Sequence, residues 1–192
     1  MKTLLITGFD PFGGATVNPS WQAVKRLPDT IGEYVLCKLE IPTVFGRAAE
    51  TVLAAAEKCQ PDVILCIGQA AKRSAVTPER VAVNLQDARI PDNDGRQPMQ
   101  ELCVADGPVA YLATVPYRQM AQAMESIGIE AKVSNSAGTF VCNDTLYRLL
   151  HHFEGTPTRV GFIHIPSLPE QGQPNLPLED SVRALQAAIG VL

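Results

Sequence analysis

Cys142 stands in Ser136-Ala137-Gly138-Thr139-Phe140-Val141-Cys142-Asn143, where a glycine-containing loop runs into a helical pattern. Leu146, Leu149, Leu150 and Phe153 follow at helical spacing, so Cys142, one turn ahead of Leu146, faces the core side of the helix's first turn. Spacing alone leaves two readings open. Free cysteine is commonly a small buried hydrophobe, and the five cysteines at positions 37, 59, 66, 103 and 142 give that reading weight. A thiol at a helix N-terminus is also placed to be a nucleophile. Unpaired amides and the helix dipole there favour thiolate and lower its pKa, and the same amides could hold an oxyanion.

A nucleophilic thiol needs a base, and the chain has three histidines. His151 and His152 are adjacent on the helix, pointing about 100° apart, and lie too far along it to reach Cys142. They read as a solvated helix end and make a poor metal pair. His164 differs. In Val160-Gly161-Phe162-Ile163-His164-Ile165 it shares a strand face with Val160 and Phe162, near the strand's C-terminal end. An imidazole in so apolar a strand must find polar partners, either as a satisfied core histidine or as a general base. Glu79, in Thr77-Pro78-Glu79-Arg80, is a candidate to orient that ring, and a solvated turn carboxylate is the equal alternative. The loop Gly8-Phe9-Asp10-Pro11-Phe12-Gly13-Gly14 lacks the Lys and Ser/Thr of a phosphate loop. Its Phe9 and Phe12 suggest an apolar wall or ordinary loop anchoring.

The elements that must position these groups alternate. Strands are expected at Leu4–Thr7, Tyr34–Leu39, Val63–Gly68, Arg80–Leu85, Ala131–Ser134 and Val160–Ile165. Helices are expected to begin at Asn18-Pro19-Ser20 and to cover Phe45–Lys58, Tyr117–Ser126, Cys142–Phe153 and Leu178–Ile189, with an irregular excursion over Asp87–Gly107. This pattern predicts a three-layer α/β/α sandwich around a central, largely parallel, mixed twisted sheet, in one domain over residues 1–192. Ligands in such sheets collect where strand C-termini meet loops and helix starts.

Composition narrows the class. A net charge of −4 gives no basic footprint for nucleic acid or anionic membrane. No stretch approaches the roughly 18 apolar residues of a membrane span, and Leu4–Ile6 is too short for a signal-peptide core. A cytoplasmic location is expected. The odd cysteine count without CxxC spacing argues against a disulfide framework or structural zinc.

Taken together, GFDPFGGATVNPSW (8–21), PTVF (42–45), GQA (68–70), TPERVAVN (77–84), DARIPDN (87–93), SAGTFVCN (136–143) and GFIHIP (161–166) resemble the type I pyroglutamyl peptidases, or pyrrolidone-carboxylate peptidases. The resemblance runs in the family's order across most of the chain. It implies a cysteine omega-peptidase that removes an N-terminal pyroglutamyl (5-oxoprolyl) residue from peptides through a thioester, without cofactor or metal. It also implies a triad of Cys142, His164 and Glu79, with Arg89 at the oxyanion site. Phe9 and Phe12 match the ring-contacting aromatics, Asn18 and Gln69 the polar pocket positions, and Thr43, Ile90, Phe140 and Val141 the pocket wall. Family members are often tetramers, so a homo-oligomer, tetramer or dimer, is expected. Ala71-Lys72-Arg73-Ser74 departs from the glycine and arginine that many relatives carry after GQA, and the end at Leu192 is earlier than in several relatives, which leaves tail-dependent assembly contacts open. The alternatives are a thiol amidohydrolase acting on another small lactam or amide, and a binding module in which Cys142 is core filler.

Overall fold

The computed structural model describes residues 1–192. β1 (Lys2–Phe9) leads through a loop to α1 (Pro19–Val24), and β2 (Thr30–Ile31), β3 (Tyr34–Ile41) and α2 (Arg47–Cys59) precede the central β4 (Val63–Gln69). Three short strands follow, β5 (Thr77–Pro78), β6 (Val81–Val83) and β7 (Ala110–Leu112). The chain closes with α3 (Tyr117–Ser126), α4 (Val141–His152), β8 (Arg159–Ile165), a 3₁₀ turn at Pro169–Gln171 and α5 (Leu178–Ile189).

The main sheet runs β2-β3-β1-β4-β8-β5. Its four long strands are parallel, and antiparallel two-residue pieces, β2 and β5, close the edges. β4 is apolar on both faces because both are covered. Leu4 and Ile6, Val63, Leu65 and Ile67, and Ile163 and Ile165 pack with Val24 of α1, Met120 and Met124 of α3, and Leu185 of α5. The alternate residues Leu5, Ile64, Cys66, Val160 and Phe162 pack with Val52 of α2 and Leu146 and Leu149 of α4. Two apolar faces under two helical layers make the α/β/α sandwich. Gly8 lets α1 lie directly on β1, since a Cβ there would stand 2.5 Å from the Trp21 backbone.

The structure departs from the sequence pattern beside the site. Within Arg80–Leu85 only Val81–Val83 is strand, and it pairs with β7 in a separate two-stranded ribbon rather than with the main sheet. The expected strand Ala131–Ser134 is reduced to two isolated bridges, Val76 with Ala131 and Glu79 with Ser134. Pro78 is the cause. The amides of Lys132, Ser134 and Arg80 donate in turn to Val76, Pro78 and Ser134, but proline has no N–H for the bond that would join these into a ladder.

Candidate active site

Helix α4 presents Cys142 on its first turn, and its neighbours fix that turn. Asn143, fully buried, accepts from the Val83 amide at 2.9 Å and donates to the Val83 and Leu85 carbonyls at 2.8 and 3.1 Å. Asp144, also fully buried, accepts from Gln86 Nε2 at 2.6 Å, the Gly46 amide at 2.8 Å and Arg148 Nε at 2.8 Å. The β6 ribbon and the start of α2 therefore clamp the helix at the two residues after the thiol. Phe140 caps α4 with no side-chain hydrogen bond, the amides of Val141 and Asn143 have no backbone or side-chain acceptor, and that of Cys142 is directed at its own sulfur. Such amides are a ready anion site.

Sγ of Cys142 lies over the main sheet. A Cβ on Gly68 would stand 3.0 Å from it, so the thiol occupies the space this glycine leaves. Gly68 of β4 is in register with His164 of β8, whose ring packs against Phe162 with centroids 4.7 Å apart. Nδ1 of His164 is bonded to Glu79 Oε1 at 2.7 Å, with both side chains buried. Arg73 Nη1 donates to the same Oε1 at 2.6 Å and to Thr77 Oγ1 at 2.6 Å, while its Nη2 donates to the Ser136 carbonyl at 2.8 Å.

Burial opposes ionisation of Glu79, but the bond and charge of His164, then Ser134 and Arg73, outweigh it and hold the carboxyl below the usual value. The proton of Ser134 Oγ itself is directed at the Ser136 carbonyl, and Glu79 Oε2 is buried without a hydrogen-bond partner. An ionised carboxylate only accepts, so His164 Nδ1 carries the proton and Nε2 is left as the free base. Cys142 differs from the helix-dipole expectation. Removal from water at the cavity floor, with the Glu79 charge and Cys66 beside it, pushes its thiol up to about 12 against a smaller opposing effect of Arg73. For this thiol, desolvation exceeds what the helix start supplies.

Phe9, Phe12, Asn18, Thr43, Gln69 and Phe140 line one cavity of about 210 Å³ together with Cys142 and His164. The rings of Phe12 and Phe140 lie 6.1 Å apart, and Phe45 backs Phe140 edge-on at 5.2 Å. Three residues named from the resemblance lie elsewhere. Val141 is wholly buried in the core under the cavity, because the helix turns it away from Cys142. Ile90 stands behind the glycine turn, 3.8 Å from where a Gly13 Cβ would be, and is not part of the lining. Arg89 is exposed, makes no side-chain hydrogen bond and does not line the cavity. Arg73 lines it instead, with Ala70, Ala137 and Gly138. Sequence reading passed over Arg73 as part of a variable loop, and its only signal was a lone arginine between GQA and TPER.

A larger cleft of about 360 Å³ lies by the C-terminal ends of α2 and α4 and is lined by His152, Glu57 and Asp62. It holds no nucleophile, and Asp62 is engaged by the Thr3 amide at 2.7 Å. His151 bonds Tyr111 through Nδ1 at 2.9 Å, and neither of these histidines approaches Cys142.

A family model described as pyroglutamyl peptidase matches residues 1–192. The chain is 51% identical over 194 residues to a pyrrolidone-carboxylate peptidase of Bacillus licheniformis, covering 97% of this chain and 90% of that one. It is 52% identical over 193 residues to that of Levilactobacillus brevis, covering 97% and 95%. Among solved structures, pyroglutamyl peptidase I of Bacillus amyloliquefaciens superposes with a TM-score of 0.96 at 45% identity over 100% of this chain and 96% of that one. The pyrrolidone carboxyl peptidase of Thermococcus litoralis gives 0.95 at 38% identity, over 100% and 93%.

Proposed function

The chain belongs to the pyroglutamyl peptidase family, and from that premise we propose that Cys142, His164 and Glu79 are its nucleophile, base and orienting carboxylate. The protein is a cysteine-type omega-peptidase that removes N-terminal pyroglutamate from peptides through an acyl-enzyme. The observation that carries the residue assignment is the buried 2.7 Å bond from His164 Nδ1 to Glu79, beneath a cavity whose lining includes Cys142.

In this reading His164 Nε2 takes the thiol proton as Sγ bonds to the pyroglutamyl carbonyl carbon. The carbonyl π electrons move onto oxygen, and the unpaired amides at the start of α4 hold that oxyanion. The imidazolium, stabilised by Glu79, gives its proton to the leaving amine as the C–N bond breaks. His164 then deprotonates water, which attacks the thioester and releases pyroglutamate and the Cys142 thiol.

Selectivity follows from the lining. About 210 Å³ is small beside the roughly 300–1,000 Å³ of drug-sized sites, which suits a single lactam ring. Phe9, Phe12 and Phe140 supply its apolar wall. No carboxylate lines the cavity, so the free ammonium of an ordinary N-terminus would be desolvated there without a counter-charge. Gln69 gives its amide protons to Ser167 Oγ and Gln171 Oε1 at 3.0 and 3.2 Å, which leaves its Oε1 to accept the lactam N–H. Asn18 is already committed to the Ser20 amide and the Asp10 carbonyl, and shapes the wall instead.

Residues 1–192 act as one catalytic unit in this reading, in the cytoplasm and as a homo-oligomer. Support for assembly is the apolar surface left by Met99, Val109 and Leu112, exposed to 74%, 85% and 62%, and light scattering in solution tests it. The activity is tested with fluorogenic amides. The pyroglutamyl amide is expected to be cleaved and the alanyl and leucyl amides to be left intact, and a folded, reduced sample inactive on the first would refute the assignment.

A further inference from the structure

We propose that Arg73 is a positioning residue of this reaction, a fork that holds the base's carboxylate and the loop before the nucleophile in one geometry. The proposal rests on the catalytic reading of Cys142, His164 and Glu79.

The contacts divide the fork's two nitrogens between two halves of the site. Nη1 binds Glu79 Oε1, the oxygen that also receives His164 Nδ1, and Nη2 binds the carbonyl of Ser136. Ser136 opens the segment through Gly138 and Thr139 to Phe140, the residue that caps α4 immediately before Val141 and Cys142. One side chain from the loop after β4 thus ties the carboxylate to the approach of the nucleophile's helix.

Glu79 depends on this tie. It is fully buried, and its Oε2 has no hydrogen-bond partner, so both of its hydrogen bonds converge on Oε1. His164 is one donor, and its orientation is the quantity to be fixed. Arg73 is therefore the donor that can hold Oε1 still while the imidazole changes protonation state during turnover. A planar guanidinium can serve Glu79 and Ser136 together, whereas an ammonium at the end of a flexible stem has no such fixed fork.

Charge gives a signature that a packing role lacks. The charged or titratable groups facing Glu79 are Arg73 from the loop after β4, His164 from β8 and Cys142 from α4, with the hydroxyl of Ser134 on the edge segment. Removing the Arg73 cation makes protonation of Glu79 easier, which carries the acid limb of kcat toward higher pH.

The test uses the full chain with Arg73→Gln and Arg73→Lys, each checked for folding by circular dichroism. Arg73→Gln is expected to lower kcat by about 10²-fold, as a misplaced catalytic group does, with KM within threefold and the acid limb moved up. Arg73→Lys keeps the charge and is expected to leave the limb in place and lower kcat about tenfold, the loss of one charge-assisted hydrogen bond. Proton NMR of the substrate-free protein gives a readout independent of turnover: the low-field His164 Nδ1–H signal persists in wild type and Arg73→Lys and is lost or shifted in Arg73→Gln. A folded Arg73→Gln with wild-type kcat, with reduced kcat on an unmoved pH profile, or with an unchanged Nδ1–H signal overturns the proposal. So does an effect confined to KM, which would assign Arg73 to the substrate. If Arg73→Gln does not fold, a folded Arg73→Lys with wild-type kcat is enough to overturn it. Wild type inactive on the pyroglutamyl amide would refute the catalytic reading, and the NMR comparison would still decide the Arg73 contact.

Discussion

Gly68→Ala is the smallest change that reaches both the nucleophile and the base. The added methyl would stand 2.8 Å from Cε1 and Cζ of Phe162 and 3.0 Å from Sγ of Cys142. Ordinary contact needs about 3.5–4.0 Å, so ring and thiol must each retreat by roughly 0.5–1 Å. Phe162 has little room to do so. It is 1% exposed and flanked by the Phe9 ring at 6.2 Å and the His164 ring at 4.7 Å, so its displacement passes to the imidazole. Overpacking of this kind costs about 1–3 kcal/mol. At about 2–4 °C per kcal/mol for a chain of this size, Tm falls by roughly 2–12 °C. The chemical cost is larger, because a shift of about 1 Å in a catalytic group can remove about 10²-fold in rate. The assay is kcat on a fluorogenic pyroglutamyl amide, run well below the variant's Tm and beside a thermal melt. A folded Gly68→Ala with kcat within threefold of wild type would refute the placement of Sγ over this glycine.

Four further outcomes follow from the same geometry. Glu79 is held below its ordinary value of 4.5, so the stability tied to its ionised form is complete above pH 4.5 and is lost as pH falls through the lower folded value; melts across this range should show wild type losing Tm more steeply than Glu79→Gln, and parallel curves would contradict it. With the Cys142 thiol pushed up to about 12, its alkylation by iodoacetamide should keep rising about tenfold per pH unit above neutrality, whereas a plateau near neutral pH would mean a preformed thiolate. Cys66, fully buried and also pushed up to about 12, should stay unlabelled in the folded protein. Asn143→Ala removes three hydrogen bonds to Val83 and Leu85; the Val83 carbonyl keeps the Leu85 amide, so the Val83 amide and the Leu85 carbonyl are left unpaired, and the cost in urea unfolding should be about 2–6 kcal/mol at about 1–3 kcal/mol per group.

The parts of the fold with strong periodicity were legible in the sequence. Helices α3 and α5 fall at Tyr117–Ser126 and Leu178–Ile189, where their apolar spacing put them, and the doubly apolar run at Val63 is the central strand. β6 falls inside the expected strand Arg80–Leu85, but its partner β7 was not legible, because a three-residue strand beside the aperiodic stretch Asp87–Gly107 carries almost no pattern. For the site, scarcity helped. Three histidines made His164 findable, whereas twenty acidic residues left Glu79 open until the family motifs were read. Arg73 was illegible because its role exists only once the loop after β4 meets the segment before α4. The thiol's protonation state was misread because a helix start is visible in sequence and the burial that outweighs it is not.

The central claim is that Cys142 carries the acyl group. Acid-quenched enzyme from steady-state turnover of a pyroglutamyl amide, digested and mapped by mass spectrometry, tests it most directly. The account predicts a pyroglutamyl adduct on the peptide containing Cys142, labile to hydroxylamine as a thioester is, and absent with its turnover in Cys142→Ser. An adduct on any other residue, or full turnover by Cys142→Ser, would contradict it.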